Sequence, residues 1–447
     1  MENIKKIASL WGDRKPLALI NTFGCQQNEN DSEKIAGLLS EMGYGFTETA
    51  QNADLVVFNT CAIRENAEKK VYGMLGALKP LKEMRPSMVI ALCGCMANEE
   101  HNIKRLKSTF KQVDIVFGTN SIHKFPSLLS EALTTRQRAF LTEEDAEIHE
   151  GVPTYRKSDL KVGVPIMYGC NNFCSYCIVP YVRGRERSRE EADIIKEVIA
   201  AKEKGAKEVM LLGQNVNSYG GGGDKFASLL EKVSDTGIER VRFMTSHPKD
   251  IKDSVIRVMA ERDNICKSLH LPLQAGSNTV LKAMNRKYTK EWFLEKVAAV
   301  KAAMPDITLT TDIIVGFPGE TTPDFYETLD VLEKVRFDMI FSFIFSPRKG
   351  TPAEKMADVI SDDEKKANFE KLLEVQNEIS LQKNQAMLGN IEKVLVEGES
   401  KTNSDVLTGR TEGNKIVNFE GDKSLVGAIC NVEITEVGTF NLTGKTI

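Results

Sequence analysis

The sequence has no long hydrophobic run. None of its 447 residues lies in a stretch of roughly 18 consecutive apolar residues, so no membrane-spanning helix is predicted. The first residues, Met1 to Lys6, lead into a short mixed stretch that lacks the apolar core and the small-residue cleavage site of a signal peptide. We therefore expect a cytoplasmic protein with no membrane partner.

The sequence also has no excess of positive charge. Its 59 Lys and Arg residues stand against 63 Asp and Glu residues, which leaves a formal net charge of -4. This balance excludes a protein that binds nucleic acid through bulk charge, but it is compatible with a local basic patch. Internal repeats and low-complexity tracts are lacking as well, which excludes a solenoid or an array of small modules.

The length and the cysteine count are informative. A chain of this length holds about three domains of roughly 150 residues, and its composition is that of a globular protein. Nine cysteines in a reducing compartment do not predict a disulfide framework. Seven of them lie in the first 177 residues, and this clustering indicates metal or redox chemistry.

We expect an α/β protein of three parts. Residues 1–141 alternate apolar strands with helices, which predicts a parallel sheet covered on both faces, and residues 142–159 read as a linker. Residues 160–382 hold six further strand–helix units, which predict a partial β/α barrel. Residues 383–447 alternate apolar and polar positions between turns, the pattern of a small antiparallel β-barrel.

One segment holds three cysteines, Cys170, Cys174 and Cys177, in the order Tyr168-Gly169-Cys170-Asn171-Asn172-Phe173-Cys174-Ser175-Tyr176-Cys177. Four cysteines saturate a 4Fe-4S cluster, whereas three leave one iron open for a further ligand. A zinc site would want a fourth Cys or His at comparable spacing, and no histidine is adjacent. Buried structural thiols are the other alternative. The segment follows the first predicted barrel strand, where barrel enzymes build their active sites, and we therefore favour an iron–sulfur cluster.

Three further cysteines each follow a strand of the first domain. Cys25, Cys61 and Cys95 come after Leu17–Ile20, Leu55–Phe58 and Met88–Leu92. Carboxyl ends of parallel strands share one sheet edge, so these thiols are expected to converge there. The alternatives are that they are buried as small hydrophobes, or that Cys93 replaces Cys95. We favour Cys95, because Gly94 gives the backbone freedom to turn its thiol into the crevice. Cys266 and Cys430 stand alone and are interpreted as structural.

The 170–177 segment resembles the signature of radical S-adenosylmethionine enzymes. Together with Thr22–Asn28, Asn59–Glu65 and Gly94–Ala97, it resembles the methylthiotransferase family of those enzymes. One departure from the family pattern is Gln27, where Met is common. The tail is similar to the small RNA-binding module called the TRAM domain.

This resemblance implies two 4Fe-4S clusters, one held by Cys25, Cys61 and Cys95 and the other by the 170–177 segment. It further implies that one S-adenosylmethionine methylates a sulfur on the cluster held by Cys25, Cys61 and Cys95, and that another S-adenosylmethionine yields a 5′-deoxyadenosyl radical at the cluster of the 170–177 segment. The radical would abstract hydrogen and so prepare an unactivated aromatic carbon for carbon–sulfur bond formation. The cofactors, rather than a protein side chain, would carry out this radical chemistry. By the same resemblance, contacts to S-adenosylmethionine come from Tyr176, Gln214, Asn215 and Gly316.

The stretches Asn59–Glu65 and Ile178–Glu186 look most like family members that modify carbon 2 of isopentenyladenosine beside the anticodon. The implied partners are the tRNA anticodon stem-loop, an electron donor such as flavodoxin or ferredoxin, and a sulfur-delivery protein. Two alternative activities exist within the family: modification of threonylcarbamoyladenosine in tRNA and modification of a ribosomal protein aspartate. The alternative outside enzymes is an iron–sulfur scaffold or carrier protein.

The charged residues of the sequence do not by themselves decide whether the protein binds RNA. Four alternate arginines after the cysteine segment either contact phosphates and an unpaired base or form a salt-bridged surface with neighbouring glutamates, namely Arg183, Arg185, Arg187 and Arg189. From residue 382 onward, seven Lys and Arg stand against nine Asp and Glu. The RNA-binding role of the tail therefore depends on the resemblance.

Overall fold

The computed structural model describes residues 2–62, 65–141, 147–400, 403 and 405–447. The predicted linker at 142–159 and the Asn59–Glu65 stretch therefore lie partly outside the described residues. The chain divides into two compact units, one of Met1–Ser158, Met167–Phe173 and Cys177–Arg189, and the other of Asp159–Ile166, Cys174–Tyr176 and Glu190–Ile447.

The first unit is built on a parallel sheet with the strand order β2-β1-β3-β4-β5-β6. Its strands are Leu17–Thr22 (β1), Gly45–Phe46 (β2), Leu55–Thr60 (β3), Val89–Gly94 (β4), Ile115–Phe117 (β5) and Ala139–Leu141 (β6). Its main helices are Glu2–Leu10 (α1), Gln26–Glu41 (α2), Glu65–Met84 (α3), Glu100–Ser108 (α4) and Phe125–Thr135 (α5).

Both faces of this sheet are buried. Every residue of β3 and of β4 is buried, which explains their continuous apolar runs. Val57 packs into the core on one face, while Val56 and Phe58 pack into the core on the other. Because all six strands are parallel, their carboxyl ends lie at one edge, which positions the predicted cysteine site.

The second unit contains the predicted partial barrel. Its six parallel strands form two sheets, ordered β11-β10-β7 and β12-β13-β14, and this confirms the predicted fold class. The strands are Lys161–Pro165 (β7), Glu208–Leu212 (β10), Arg240–Phe243 (β11), Ser268–His270 (β12), Thr308–Val315 (β13) and Met339–Ile344 (β14). The helices are Glu191–Glu203 (α7), Lys225–Asp235 (α8), Asp253–Glu261 (α9), Asn278–Ala283 (α10), Lys290–Ala303 (α11), Thr322–Val335 (α12) and Asp362–Gln385 (α13).

A small hairpin completes the first unit. Met167–Tyr168 (β8) pairs antiparallel with Arg187–Ser188 (β9), and a one-turn helix, Val179–Val182 (α6), lies between them in sequence. The hairpin brings Arg187 opposite Tyr168, so the arginine-containing stretch returns to the start of the cysteine segment.

The tail of the second unit is a closed five-stranded barrel, β15-β16-β17-β19-β18. Four of its strand pairs are antiparallel, as predicted, but β17 and β19 pair in parallel. Strands that alternate in direction cannot close a ring of odd number, so one parallel pair is required. The strands are Ile391–Glu399 (β15), Val406–Arg410 (β16), Ile416–Glu420 (β17), Ile429–Val437 (β18) and Asn441–Thr446 (β19).

Two arginines of β11 attach this barrel to the partial barrel. Arg240 donates to the carbonyl oxygens of Arg410 and Lys393 at 2.9 and 2.6 Å. Arg242 donates to the carbonyl oxygens of Glu412 and Thr411 at 2.7 and 2.9 Å.

Among the described helices of the chain, none combines the length and the apolar character that crossing a membrane requires.

Candidate functional site

Two of the predicted N-terminal ligands lie side by side after neighbouring strands. Cys25 precedes α2 with an extended backbone, and Cys61 follows β3 with 1% of its surface exposed. Gly24 has a φ of +120°, and a Cβ placed there would lie only 2.7 Å from the Cβ of Cys61. Glycine is therefore needed both for the backbone conformation and for the close approach of the two segments.

Cys95 joins them from the next strand. It opens a 3-10 turn, Cys95–Asn98, directly after Gly94, whose φ is +93°. Burial raises the pKa of the Cys95 thiol, and the nearby Arg183 opposes that rise while Cys25 adds to it. The structure thus brings Cys25, Cys61 and Cys95 to one sheet edge, and their role as ligands stays a prediction.

Cys93, the alternative to Cys95, lies in a different environment. It is 1% exposed and packs in a hydrophobic core with Ile115 and Phe117. Burial also raises the pKa of its thiol well above the ordinary value. Cys95 instead packs beside Ala62 at the strand ends. This difference favours Cys95 over Cys93 as the third ligand.

Two buried asparagines connect the segments that carry these cysteines. Asn28 donates to the Oδ1 of Asn59 at 3.1 Å and to the carbonyl oxygen of Thr60 at 2.8 Å. Asn59 donates in return to the carbonyl oxygen of Asn28 at 2.7 Å. The Cys25 thiol donates to the Oδ1 of Asn28 at 3.3 Å. Sequence reasoning missed this role, although both asparagines lie in the stretches that carry the family resemblance.

Arg183 is buried against the same site. It is 3% exposed, and its Nη2 donates to the Oδ1 of Asn28 at 3.1 Å and to the Oδ2 of Asp31 at 3.0 Å. Its charge also acts on the Cys95 thiol, whose pKa it lowers against the effect of burial. Desolvation opposes the charge of this guanidinium, but Cys95 and Asp31 together raise its pKa. Arg183 is therefore a charged neighbour of the cysteines. Of the two alternatives left open for the arginines, its buried pairing with Asp31 favours the ion pair.

The other three arginines of the stretch differ in burial and in the partners that they contact. Arg189 is buried and forms a bidentate ion pair with Glu150, with both distances at 2.7 Å. Arg187 donates to the Oδ1 of Asn120 at 3.0 Å. Arg185 is the exposed member, and its guanidinium carbon lies 4.4 Å from the centre of the Phe173 ring. Of the four arginines, Arg185 is the one classed as exposed, and its contact with RNA stays a prediction.

The 170–177 segment begins in the first unit. Gly169 has a φ of +72°, and the carbonyl oxygen of Arg185 leaves no room for a Cβ there. The backbone N–H of Cys170 donates to the carbonyl oxygen of Gly184 at 3.2 Å. The backbone N–H of Asn172 lies 3.5 Å from the Cys170 sulfur. The side-chain Nδ2 of Asn172 lies at the same distance from that sulfur, so Asn172 directs two N–H donors at Cys170, which suits a thiolate.

The middle of the segment belongs to the second unit. Cys174 is buried, and Ser175 anchors it to the end of α10, because its hydroxyl donates to the carbonyl oxygen of Ala283 at 2.8 Å. The Ser175 N–H donates to the carbonyl oxygen of Met284 at 3.0 Å. Cys174 is thus held on a fixed backbone.

Arg286 is the residue at this segment that the sequence did not reveal. It is 8% exposed, and its Nη1 donates to the Cys174 sulfur at 3.4 Å. Its Nε donates to the Tyr288 hydroxyl at 3.0 Å, and its Nη2 donates to the carbonyl oxygen of Pro272 at 2.8 Å. A buried guanidinium therefore faces one of the predicted cluster cysteines.

Tyr176 and Gly316, two of the residues implied to contact S-adenosylmethionine, lie near each other. The Tyr176 ring packs edge-on against Phe317 with 6.4 Å between ring centres. Gly316 has a φ of +72°, and its N–H donates to the buried Glu320 carboxyl at 2.5 Å. Burial raises the pKa of Glu320 to about 7.

Gln214 and Asn215 follow β10, as predicted. Asn215 is 1% exposed and donates to the Oδ2 of Asp250 at 2.7 Å. Its own Oδ1 accepts from the backbone N–H of His247 at 2.9 Å. The Asn215 side chain therefore braces the loop after β11, while Gln214 is half-buried. Contact of either residue with S-adenosylmethionine stays a prediction.

Three protein families match successive parts of the chain. They are the uncharacterized protein family UPF0004 at residues 18–118, the radical SAM superfamily at residues 164–332 and the TRAM domain at residues 385–447. A tRNA-2-methylthio-N(6)-dimethylallyladenosine synthase from Acetivibrio thermocellus is 54% identical over 97% of this chain and 92% of its own length. The synthase of the same name from Clostridium perfringens is 51% identical over 97% of this chain and 98% of its own length.

The chain belongs to the family of tRNA-2-methylthio-N(6)-dimethylallyladenosine synthases. It is therefore a radical SAM enzyme that uses S-adenosylmethionine and iron–sulfur chemistry, which confirms the predicted family and cofactor types. The TRAM domain confirms the interpretation of the tail. Among solved structures, a radical S-adenosylmethionine methyltransferase from Kitasatospora setae matches with a TM-score of 0.54 at 13% identity, covering 76% of this chain and 75% of its own. That likeness concerns the fold.

Proposed function

We propose that this enzyme adds a methylthio group to carbon 2 of isopentenyladenosine next to the anticodon of a tRNA. The supporting observation is the identity of 51–54% to synthases of that activity, extending over at least 92% of those relatives. It spans the cysteine-bearing sheet, the partial barrel and the TRAM domain together.

Two 4Fe-4S clusters are part of the proposal. Cys170, Cys174 and Cys177 would hold the first, and Cys25, Cys61 and Cys95 the second. The chemistry of the donors fits these clusters, because thiolates are the usual ligands of iron–sulfur clusters and each set leaves one iron open. The clusters and S-adenosylmethionine, when bound, supply the sulfur and the radical needed to form a carbon–sulfur bond at an aromatic carbon.

The chain's own residues would position these groups. Asn28 and Asn59 hold the Cys25 and Cys61 segments in register through buried hydrogen bonds. Arg183 brings a positive charge to Cys95, and this favours the thiolate form over the thiol. Such surrounding groups orient metal ligands and tune the metal that they bind.

Contacts with S-adenosylmethionine are proposed for Tyr176, Gln214, Asn215 and Gly316. The packing of Tyr176 on Phe317, next to the glycine turn at Gly316, supports an aromatic surface beside a backbone turn, which suits an adenine ring. Asn215 would act by fixing the loop that carries His247.

The tRNA anticodon stem-loop is the proposed macromolecular substrate. The TRAM domain and the exposed Arg185 beside Phe173 support this, because a guanidinium plane and an aromatic ring both stack on unpaired bases. An electron donor such as flavodoxin or ferredoxin, a sulfur-delivery protein and a cytoplasmic location complete the proposal.

Nucleoside analysis of total tRNA from a deletion strain tests the substrate. We expect the methylthio-isopentenyladenosine level to fall to background while isopentenyladenosine accumulates, with recovery on complementation. An unchanged level would overturn the proposal. Loss of the methylthio form of threonylcarbamoyladenosine, or of a modified ribosomal protein aspartate, would transfer the assignment to a rival substrate.

Single cysteine variants test the ligand sets. Cys170→Ala is expected to abolish 5′-deoxyadenosine formation and to retain about half of the bound iron. Cys61→Ala is expected to keep 5′-deoxyadenosine formation and lose sulfur insertion, again with about half of the iron. Cys430→Ala, at a half-buried cysteine of the TRAM barrel, is the control and should keep all of the iron. Full iron content in Cys61→Ala would refute the second ligand set.

A further inference from the structure

The charge of Arg286 is not balanced by a protein carboxylate. Its hydrogen-bond partners are the Cys174 sulfur, the Tyr288 hydroxyl and the Pro272 carbonyl oxygen, and within the described part of the chain no Asp or Glu contacts it. Neither His247 nor Tyr288 supplies a negative charge: burial, Arg286 and Lys249 lower the pKa of His247 to about 2, and burial raises that of Tyr288 to about 12.

A buried charge of this kind is unfavourable without a charged partner, because the ion loses its hydration. A thiol offers no negative charge to offset this loss, whereas a thiolate bound to a negatively charged iron–sulfur cluster does. The structure therefore has a buried cation that calls for an anion at Cys174.

We propose that Arg286 is the counter-cation of the iron–sulfur cluster in the 170–177 segment and that it sets the reduction potential of that cluster. The inference rests on the proposed function, since it assumes a cluster at Cys174. Arg286 is a positioning residue: its Nη1 donates to the Cys174 sulfur, while Tyr288 and Pro272 fix the plane of its guanidinium group.

The positive charge of Arg286 would raise the reduction potential of the cluster. Reduction adds one negative charge to the cluster, and a nearby cation in a low-dielectric site stabilises that charge. Removal of the cation should therefore shift the midpoint potential to more negative values. The contrast with Arg183 is informative, because Asp31 already neutralises Arg183 at 3.0 Å.

The test measures the midpoint potential of this cluster by electron paramagnetic resonance in the full-length chain. Alanine replacements of Cys25, Cys61 and Cys95 leave the 170–177 cluster as the remaining one. In that background, Arg286→Gln is expected to shift the potential to more negative values, and Arg286→Lys, which keeps the charge, should shift it less. Arg242→Gln, at a buried arginine paired with Glu208 rather than with a cluster cysteine, is the control and should leave it unchanged.

A second variant covers the case in which Arg286→Gln does not fold. The charge of Arg286 acts on His247, so a carboxylate placed there in His247→Glu would offset the charge of the guanidinium without removing its hydrogen-bond donors. We expect a negative shift in His247→Glu and none in His247→Gln. If Arg286→Gln or His247→Glu binds the cluster and its midpoint potential is unchanged, the inference about Arg286 is overturned and the proposed function is not. Failure of the background protein to bind any cluster would instead overturn the proposed ligand set, and with it the premise.

Discussion

Arg183 and Asp31 form an ion pair in which both side chains are at most 5% exposed. Removing one partner of such a pair leaves an uncompensated buried charge. We expect Arg183→Gln to lower the free energy of unfolding by about 3–5 kcal/mol, measured by urea denaturation of the cluster-free protein.

The double variant Arg183→Gln with Asp31→Asn is the control for that prediction. Because it removes both charges, it should recover much of the lost stability. If the single and double variants were equally unstable, the loss would come from packing around Arg183 rather than from the charge of Asp31.

The grouping of the cysteines was predictable from the sequence, because it follows from their spacing and from their places after strands. The partners of the two buried arginines were not predictable. Six cysteines either share one short segment or follow strands of one sheet, and these patterns are visible in the sequence. Arg183 pairs with Asp31, which lies 152 positions away, and Arg286 meets Cys174 across 112 positions. No sequence period predicts such contacts, so the sequence alone leaves open whether the alternate arginines contact RNA or form ion pairs.

Among the elements, the turn after β13 contains a carboxyl with a displaced pKa. Glu320 is 1% exposed, and its folded pKa of about 7 lies above the ordinary 4.5. Between these values the folded protein binds a proton that the unfolded chain does not, so stability should fall as the pH rises from about 4.5 to 7. The loss attributable to Glu320 is roughly 3 kcal/mol at most.

Glu320→Gln should flatten this pH dependence, because the amide oxygen still accepts from the N–H of Gly316 and carries no charge. Urea denaturation at pH 5 and pH 8 would show it: the variant should gain stability relative to the wild type at pH 8 and little at pH 5. Parallel profiles for the two proteins would assign the pH dependence to other groups.

Long strands were predictable and short edge strands were not. β3 and β4 have continuous apolar runs, so their existence followed from burial on both faces. β2 and β6 have only two and three residues at the sheet edges, too few for any period to register. The hairpin of β8 and β9 was missed for the same reason, since each strand has two residues.

In the molecule as a whole, two side chains of β11 hold the TRAM barrel to the partial barrel. Arg242 has a buried ion pair with Glu208 and two bonds to TRAM carbonyl oxygens. We expect Arg242→Ala to loosen this attachment, so that a protease cleaves the connection at Met387–Asn390 several-fold faster than in the wild type. Lys161→Ala, which removes an exposed ion pair with Glu397, is the matched control and should change the cleavage rate little.

The pairing of β17 with β19 has a consequence for how the TRAM barrel meets its ligands. Because that pair completes the circle of backbone hydrogen bonds, the five described strands of the module leave no free sheet edge on which a foreign polypeptide could extend the sheet. Fibril growth and strand exchange between copies have no starting edge among those strands. Recognition by this module must accordingly use its side chains and turns.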